Sequence, residues 1–184
     1  MEKAALLVID VQKAVVANAY KREEIIGQLN EVIRKAREEK VPVIYVQHED
    51  PEGPLERGES GWELHPELEQ PLPSEVVVHK SVPNAFTKTN LQKTLEDMEV
   101  THVYIGGAQT DYCVDSTCRG AFDLGYHVTL ITDGHTTNDA EHLSAPHIIE
   151  HTQKTLNNFW GPQGSISLKS SERLHWMQDN KSIK

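Results

Sequence analysis

Short, unbroken apolar runs that stop abruptly at a polar residue constrain this chain most. Ala4–Ile9 is the first, and comparable runs recur at Val43–Val46, Glu75–Val78, Val100–Ile105 and His127–Ile131, with a shorter one at Ser165–Leu168. Runs of this length without polar alternation read as strands covered on both faces, the pattern of a parallel sheet. Between them lie helical patterns. Residues Arg22 to Lys40 place Ile25, Ile26, Leu29, Val32, Ile33 and Ala36 at helical spacing with Glu and Lys between them, which predicts a cover helix. Thr89–Met98 predicts a second. Thr136-Thr137-Asn138-Asp139 reads as the capped start of a long last helix reaching about Asn158, with Pro146 as a break or kink, after a turn at Asp133-Gly134. A length of 184 residues suits one domain, residues 1–184, with its core over about 4–170. The polar tail from Ser170 is expected to be loosely ordered or engaged in oligomer contacts.

The chemistry concentrates where those runs end. Asp10 closes the first and Lys80 the third, and in an open α/β sheet the carboxyl ends of strands border the ligand crevice. The fourth run feeds Gly106-Gly107-Ala108-Gln109-Thr110-Asp111-Tyr112-Cys113-Val114. Thr110 or Asp111 supplies an N-cap, so Cys113 falls in the first turn of a helix running to about Leu124. Unpaired N–H groups at a helix start favour a thiolate and offer donors to an oxyanion. The plainer alternative is that Cys113 fills core, as free Cys usually does. Asp10 read alone is equally an N-cap. Cys118, five residues on, has the wrong spacing for a redox pair and reads as core.

Taken together, Val8-Ile9-Asp10-Val11-Gln12, His79-Lys80 followed by Asn84-Ala85-Phe86, and the segment from Gly106 to Val114 resemble the isochorismatase-like cysteine hydrolase superfamily, which includes nicotinamidases and N-carbamoyl-amino-acid amidohydrolases. The resemblance covers about residues 4–170. It implies a three-layer α-β-α fold around a mostly parallel six-stranded, Rossmann-like sheet. It also implies an Asp10-Lys80-Cys113 triad, a non-proline cis peptide at Ala108–Gln109, and an oxyanion hole from the Gln109 and Cys113 backbone N–H groups. The activity to expect is hydrolysis of a small amide or related C–N bond through a Cys113 thioester. Two rivals stand beside it: an isochorismatase-type vinyl ether hydrolase, which needs no cysteine, and a redox or regulatory thiol protein without hydrolase activity. In nicotinamidases an Asp and His residues near the second strand bind a metal. Here His48 stands where that Asp would be and Asp50 near a His position, so neither a metal nor a cofactor is expected. A homo-oligomer, in which a neighbouring subunit can complete the pocket, is implied by the same resemblance.

Gln47, His48, Trp62, Phe86 and Tyr112 are the expected surroundings of the substrate, a mixture of polar and aromatic groups suited to a small amide. Trp62 sits in a Pro-, Gly- and Glu-rich stretch, Pro51–Pro73, that reads as a loop over the crevice, either packing on substrate or anchoring the loop. His147 and His151, four apart on the last helix, read as a solvated or packed pair. Eighteen basic against 28 acidic residues give a net charge of −10, which argues against nucleic acid as a partner. The absence of a long apolar stretch argues against a membrane span. Two Cys, with no leader pattern before the first strand, make a cytoplasmic location the expectation. Gly106-Gly107 lacks the third Gly and acidic partner of a dinucleotide fingerprint.

Overall fold

A computed structural model describes residues 3–176. The elements run β1 (Ala4–Ile9), α1 (Arg22–Glu38), β2 (Val43–His48), β3 (Val76–Lys80), α2 (Leu91–Asp97), β4 (His102–Ala108), a π-helical turn (Thr110–Val114), α3 (Asp115–Asp123), β5 (His127–Thr136), α4 (Ala145–Leu156), β6 (Ile166–Lys169) and a 3-10 turn (Ser171–Arg173). The six strands form one sheet in the order β3-β2-β1-β4-β5-β6, and every pairing is parallel.

Alternation along β1 builds the three layers. Ala5, Leu7 and Ile9 face a core shared with α2, α3 and α4 through Leu91, Leu95, Cys118, Ala121 and Leu156. Ala4, Leu6 and Val8 face the other core, against Ile26, Leu29, Val32, Ile33 and Ala36 of α1. Each fully buried Leu or Ile contributes about 1.5–3 kcal/mol, and a central strand with two apolar faces adds to both cores at once. The strand order reverses between β1 and β4, and a ligand crevice opens at such a switch point, outside the carboxyl ends of the strands.

Three expectations are corrected. Asp133 and Gly134 do not form a turn that ends β5. They lie in a bulge, where the register passes from Ile105↔Leu130 to Gly107↔His135, and the strand resumes to Thr136. The bulged residues are used elsewhere: the Asp133 carboxylate accepts the Ser171 N–H and hydroxyl, and the Thr132 carbonyl accepts Gln153. The last helix begins at Ala145, with Pro146 in its first turn where a missing N–H costs nothing. Thr136 and Thr137 do not cap it, because their hydroxyls donate to the Tyr20 carbonyl and to Asp111. The start of the tail is packed rather than loose. Leu174 and Trp176 are buried in the α1-side core, the Tyr104 hydroxyl donates to the His175 carbonyl at 2.8 Å, and Lys35 donates to that of Leu174. Residues 177–184 of that expected tail lie outside the described residues. Among the described residues no helix is long and apolar enough to cross a membrane.

Candidate active site

Asp10 follows β1, His48 and Lys80 are register partners at the ends of β2 and β3, and Cys113 lies in the turn after β4. Adjacent strand ends thus converge at the switch point. Asp10 is 0% exposed and Lys80 3%. The Lys80 Nζ lies 2.6 Å from Asp10 Oδ2, 3.2 Å from Cys113 Sγ and 3.1 Å from His48 Nδ1. The Cys113 sulfur and an Asp10 carboxylate oxygen lie within 4.8 Å of each other.

Local backbone makes this convergence possible. Asp10 leaves β1 at φ +47°, a left-handed conformation that Asp enters more readily than a β-branched residue. Gly107 sits beside it at φ +129°, and a Cβ there would lie 2.0 Å from the Ile9 carbonyl oxygen, so only glycine lets β4 pass β1 at this point. The Ala108–Gln109 peptide is cis. The next residues form a π turn in place of the expected α-helical start, and neither Thr110 nor Asp111 caps it. Both the Tyr112 and Val114 N–H groups donate to the Gln109 carbonyl. Thr110 is instead held by buried His135. That ring accepts from Gln153 on Nε2 at 3.0 Å and donates from Nδ1 to the Thr110 hydroxyl at 2.8 Å. Burial lowers its pKa to about 4, which keeps it neutral.

The thiol is not the preformed thiolate expected of a helix start. Burial, and then the Asp10 carboxylate beside it, push its pKa up to about 12 against the lowering effect of Lys80. The physical reason is charge balance, since one buried carboxylate already matches the one ammonium and a thiolate would be a second anion. Burial also raises the Asp10 pKa, opposed chiefly by the Lys80 charge. What the arrangement offers is a protonated thiol beside a buried base, both touching one ammonium.

A cavity of about 390 Å³ opens onto the sulfur. Asp10, His48, Gln109 and Cys113 supply its polar side, while Ala14, Val15, Leu55, Pro83 and Tyr112 supply the rest. Of the expected surroundings, His48 and Tyr112 line it, Tyr112 being 58% exposed. Gln47, Trp62 and Phe86 lie outside the lining. Trp62 stacks on His79 at 5.7 Å, and its carbonyl accepts from Gln12 and Gln47, so both Trp62 and Gln47 fasten the Pro51–Pro73 loop. Phe86 stacks on Tyr126 at 5.9 Å. Ala14, Val15 and Pro83 carry no sequence signal of their own; Leu55 lies in the loop read as covering the crevice. His147 and His151 are exposed on α4, and Cys118 is buried core.

Donor atoms of Asp10, His48 and Cys113 lie within 4.8 Å of one another, as a metal ion would require. The Lys80 ammonium is already in contact with all three. The residues therefore do not fit a metal while Lys80 holds its place.

Comparison with known proteins agrees with this architecture. The family description "Isochorismatase domain" matches residues 4–155. A streptothricin hydrolase of Streptomyces noursei is 34% identical over 139 residues, which cover 73% of this chain and 50% of that protein, so the matched region spans about half the length of that relative. Nicotinamidase 3 of Arabidopsis thaliana is 31% identical over 75% of each chain. A crystal structure of an isochorismatase family protein superimposes with a TM-score of 0.80 at 32% identity, covering 89% of this chain and 96% of that one. The domain match across most of the chain, joined to the all-parallel sheet, makes this protein a member of the isochorismatase-like hydrolase superfamily.

Proposed function

We propose that the protein hydrolyses a C–N bond of a small amide or related carbonyl compound, with Cys113 as nucleophile, Asp10 as proton carrier and Lys80 as the charge that holds both. The observation that carries this reading is the buried contact of one ammonium with a carboxylate and a thiol at the floor of an open cavity. Relatives named streptothricin hydrolase and nicotinamidase agree with it.

The steps follow from the resting protonation state. Asp10 takes the thiol proton as the sulfur attacks the substrate carbonyl, so no free thiolate need accumulate. The carbonyl electrons move onto oxygen, and the Gln109 and Cys113 backbone N–H groups are the donors assigned to hold that charge. Collapse of the tetrahedral species breaks the C–N bond, and Asp10 passes its proton to the departing nitrogen. A thioester remains on Cys113. Water attacks it, giving a proton to Asp10; the acid leaves, and that proton returns to the sulfur. Throughout, the Lys80 ammonium makes the transient thiolate less costly beside a second acid. A homo-oligomer and a cytoplasmic site of action belong to the same reading.

A panel of small primary amides and ureido compounds, with ammonia release as the signal, tests it. The parent chain is expected to turn over at least one member, and Cys113→Ala to release no ammonia above background while keeping its folded spectrum. Ammonia release that survives in Cys113→Ala would refute the thiol mechanism, and a chain that turns over no amide but cleaves a vinyl ether would favour the isochorismatase-type chemistry, which needs no cysteine.

A further inference from the structure

Three N–H bonds radiate from the Lys80 ammonium, and three acceptors surround it: Asp10 Oδ2, Cys113 Sγ and His48 Nδ1. Only the first two enter the chemistry above. An ammonium can only donate, so His48 must turn a bare lone pair toward it from Nδ1. The ring proton of neutral His48 then sits on Nε2, which lies 3.0 Å from Asp50 Oδ1. A carboxylate can only accept, and Asp50 therefore selects this tautomer. The backbone of His48 is pinned as well: its N–H donates to Gln12 Oε1, and its carbonyl accepts from Gln12 Nε2, both at 2.8 Å. Asp50 itself does not line the cavity, and its side chain is 44% exposed.

We infer that His48 is a positioning residue: with its tautomer set by Asp50, it completes the three-acceptor cradle that fixes the Lys80 ammonium between Asp10 and Cys113. The inference rests on the proposed hydrolase reading for its consequence, because the placing of Lys80 matters only if Cys113 and Asp10 exchange a proton. With an ion-pair partner and two hydrogen-bond acceptors of the protein crowded around it, Lys80 acts on the chemistry through its charge. Loss of the His48 acceptor frees one N–H to seek water, the ammonium moves, and the thiolate loses part of its stabilisation.

The rate of Cys113 alkylation by iodoacetamide, with the modified residue located by peptide mass spectrometry, reads this without knowledge of the substrate. His48→Ala and Asp50→Ala are expected to slow the reaction at pH 8 by about tenfold, the change that one pKa unit of lost thiolate stabilisation gives below the thiol pKa. His48→Asn can place its Oδ1 where Nδ1 stood, and Asp50→Asn keeps an oxygen for Nε2–H. Both are expected to recover most of the rate, as a merely structural role would not require. Asp50, part exposed and off the cavity, keeps the test usable if His48→Ala folds poorly. Rates for His48→Ala and Asp50→Ala that equal or exceed the parent's would overturn the inference and leave the hydrolase reading standing. A parent chain whose Cys113 stays unmodified even at pH 10, where a sulfur open to the cavity must begin to react, would remove both.

Discussion

Replacing Lys80 by Met deletes the ammonium while keeping most of the stem volume, and it leaves the Asp10 carboxylate in a site with 0% side-chain exposure. Breaking a buried pair by removing one partner costs about 3–5 kcal/mol, because the remaining charge is neither hydrated nor paired. Asp10 has an escape that a permanent ion lacks. Its pKa is already raised by burial, and Lys80 is the main influence pulling it down, so without Lys80 it rises further. A carboxyl whose folded pKa lies above its unfolded value favours folding below the unfolded pKa, and that contribution is lost as pH rises through the folded pKa. The deficit of the variant relative to the parent should therefore widen from acid toward pH 8, by up to about 1.4 kcal/mol per pH unit over the interval between the two Asp10 pKa values. Urea unfolding of parent and variant at pH 5 and pH 8 measures it. The expected deficit at pH 8 is about 3–5 kcal/mol, visibly smaller at pH 5. Adding Asp10→Asn to Lys80→Met should recover much of it by removing the stranded charge. A deficit under about 1 kcal/mol, or one identical at both pH values, would refute the buried ion pair.

Other consequences can be measured on the same protein. Alkylation of Cys113 should keep climbing with pH beyond 9, where an ordinary thiol levels off, because its pKa is pushed up to about 12; a plateau near neutrality would mean a preformed thiolate. Asp10→Asn should speed that alkylation, since the carboxylate raises the thiol pKa, and should abolish amide turnover if Asp10 carries the proton as proposed. Gly107→Ala forces a Cβ to 2.0 Å from the Ile9 carbonyl and should yield little folded protein. Gly27→Ala, inside α1 with nothing within 4 Å of the new Cβ, should raise the unfolding free energy by about 0.4–1 kcal/mol. Tyr112→Ala, on the exposed side of the cavity, should change KM for any amide found and leave the Cys113 alkylation rate near the parent value.

Much of the sheet was legible because burial on both faces writes itself as unbroken apolar runs: β1 falls within a residue of the run that announced it, and β2, β3 and β4 continue two or three residues past theirs. Those extra residues carry the polar groups at the rim, His48 and Lys80 among them, whose side chains gave no strand signal. The bulge in β5 was hidden for a related reason. Asp133-Gly134 has the composition of a turn, and only the Ser171 contacts, 38 residues away in sequence, explain why the strand goes on. The convergence of residues 10, 80 and 113 followed from their places at strand ends plus the family resemblance. The environment of the sulfur did not, because the sign of its pKa shift depends on how many buried charges surround it. The sequence reads His48 as lining a substrate pocket, and the structure puts it at the cavity beside Cys113; its bond to Lys80 depends on the β2–β3 register, which pairs residues 32 apart in sequence.

The central claim is that a covalent acyl group passes through Cys113. Acid quenching during turnover of an active amide, followed by peptide mass spectrometry, tests it most directly. The expected result is a peptide containing Cys113 heavier by the acyl mass of the substrate, absent in Asp10→Asn. Turnover at full rate with Cys113 unmodified at every quench time, and equally fast in Cys113→Ala, would contradict the account.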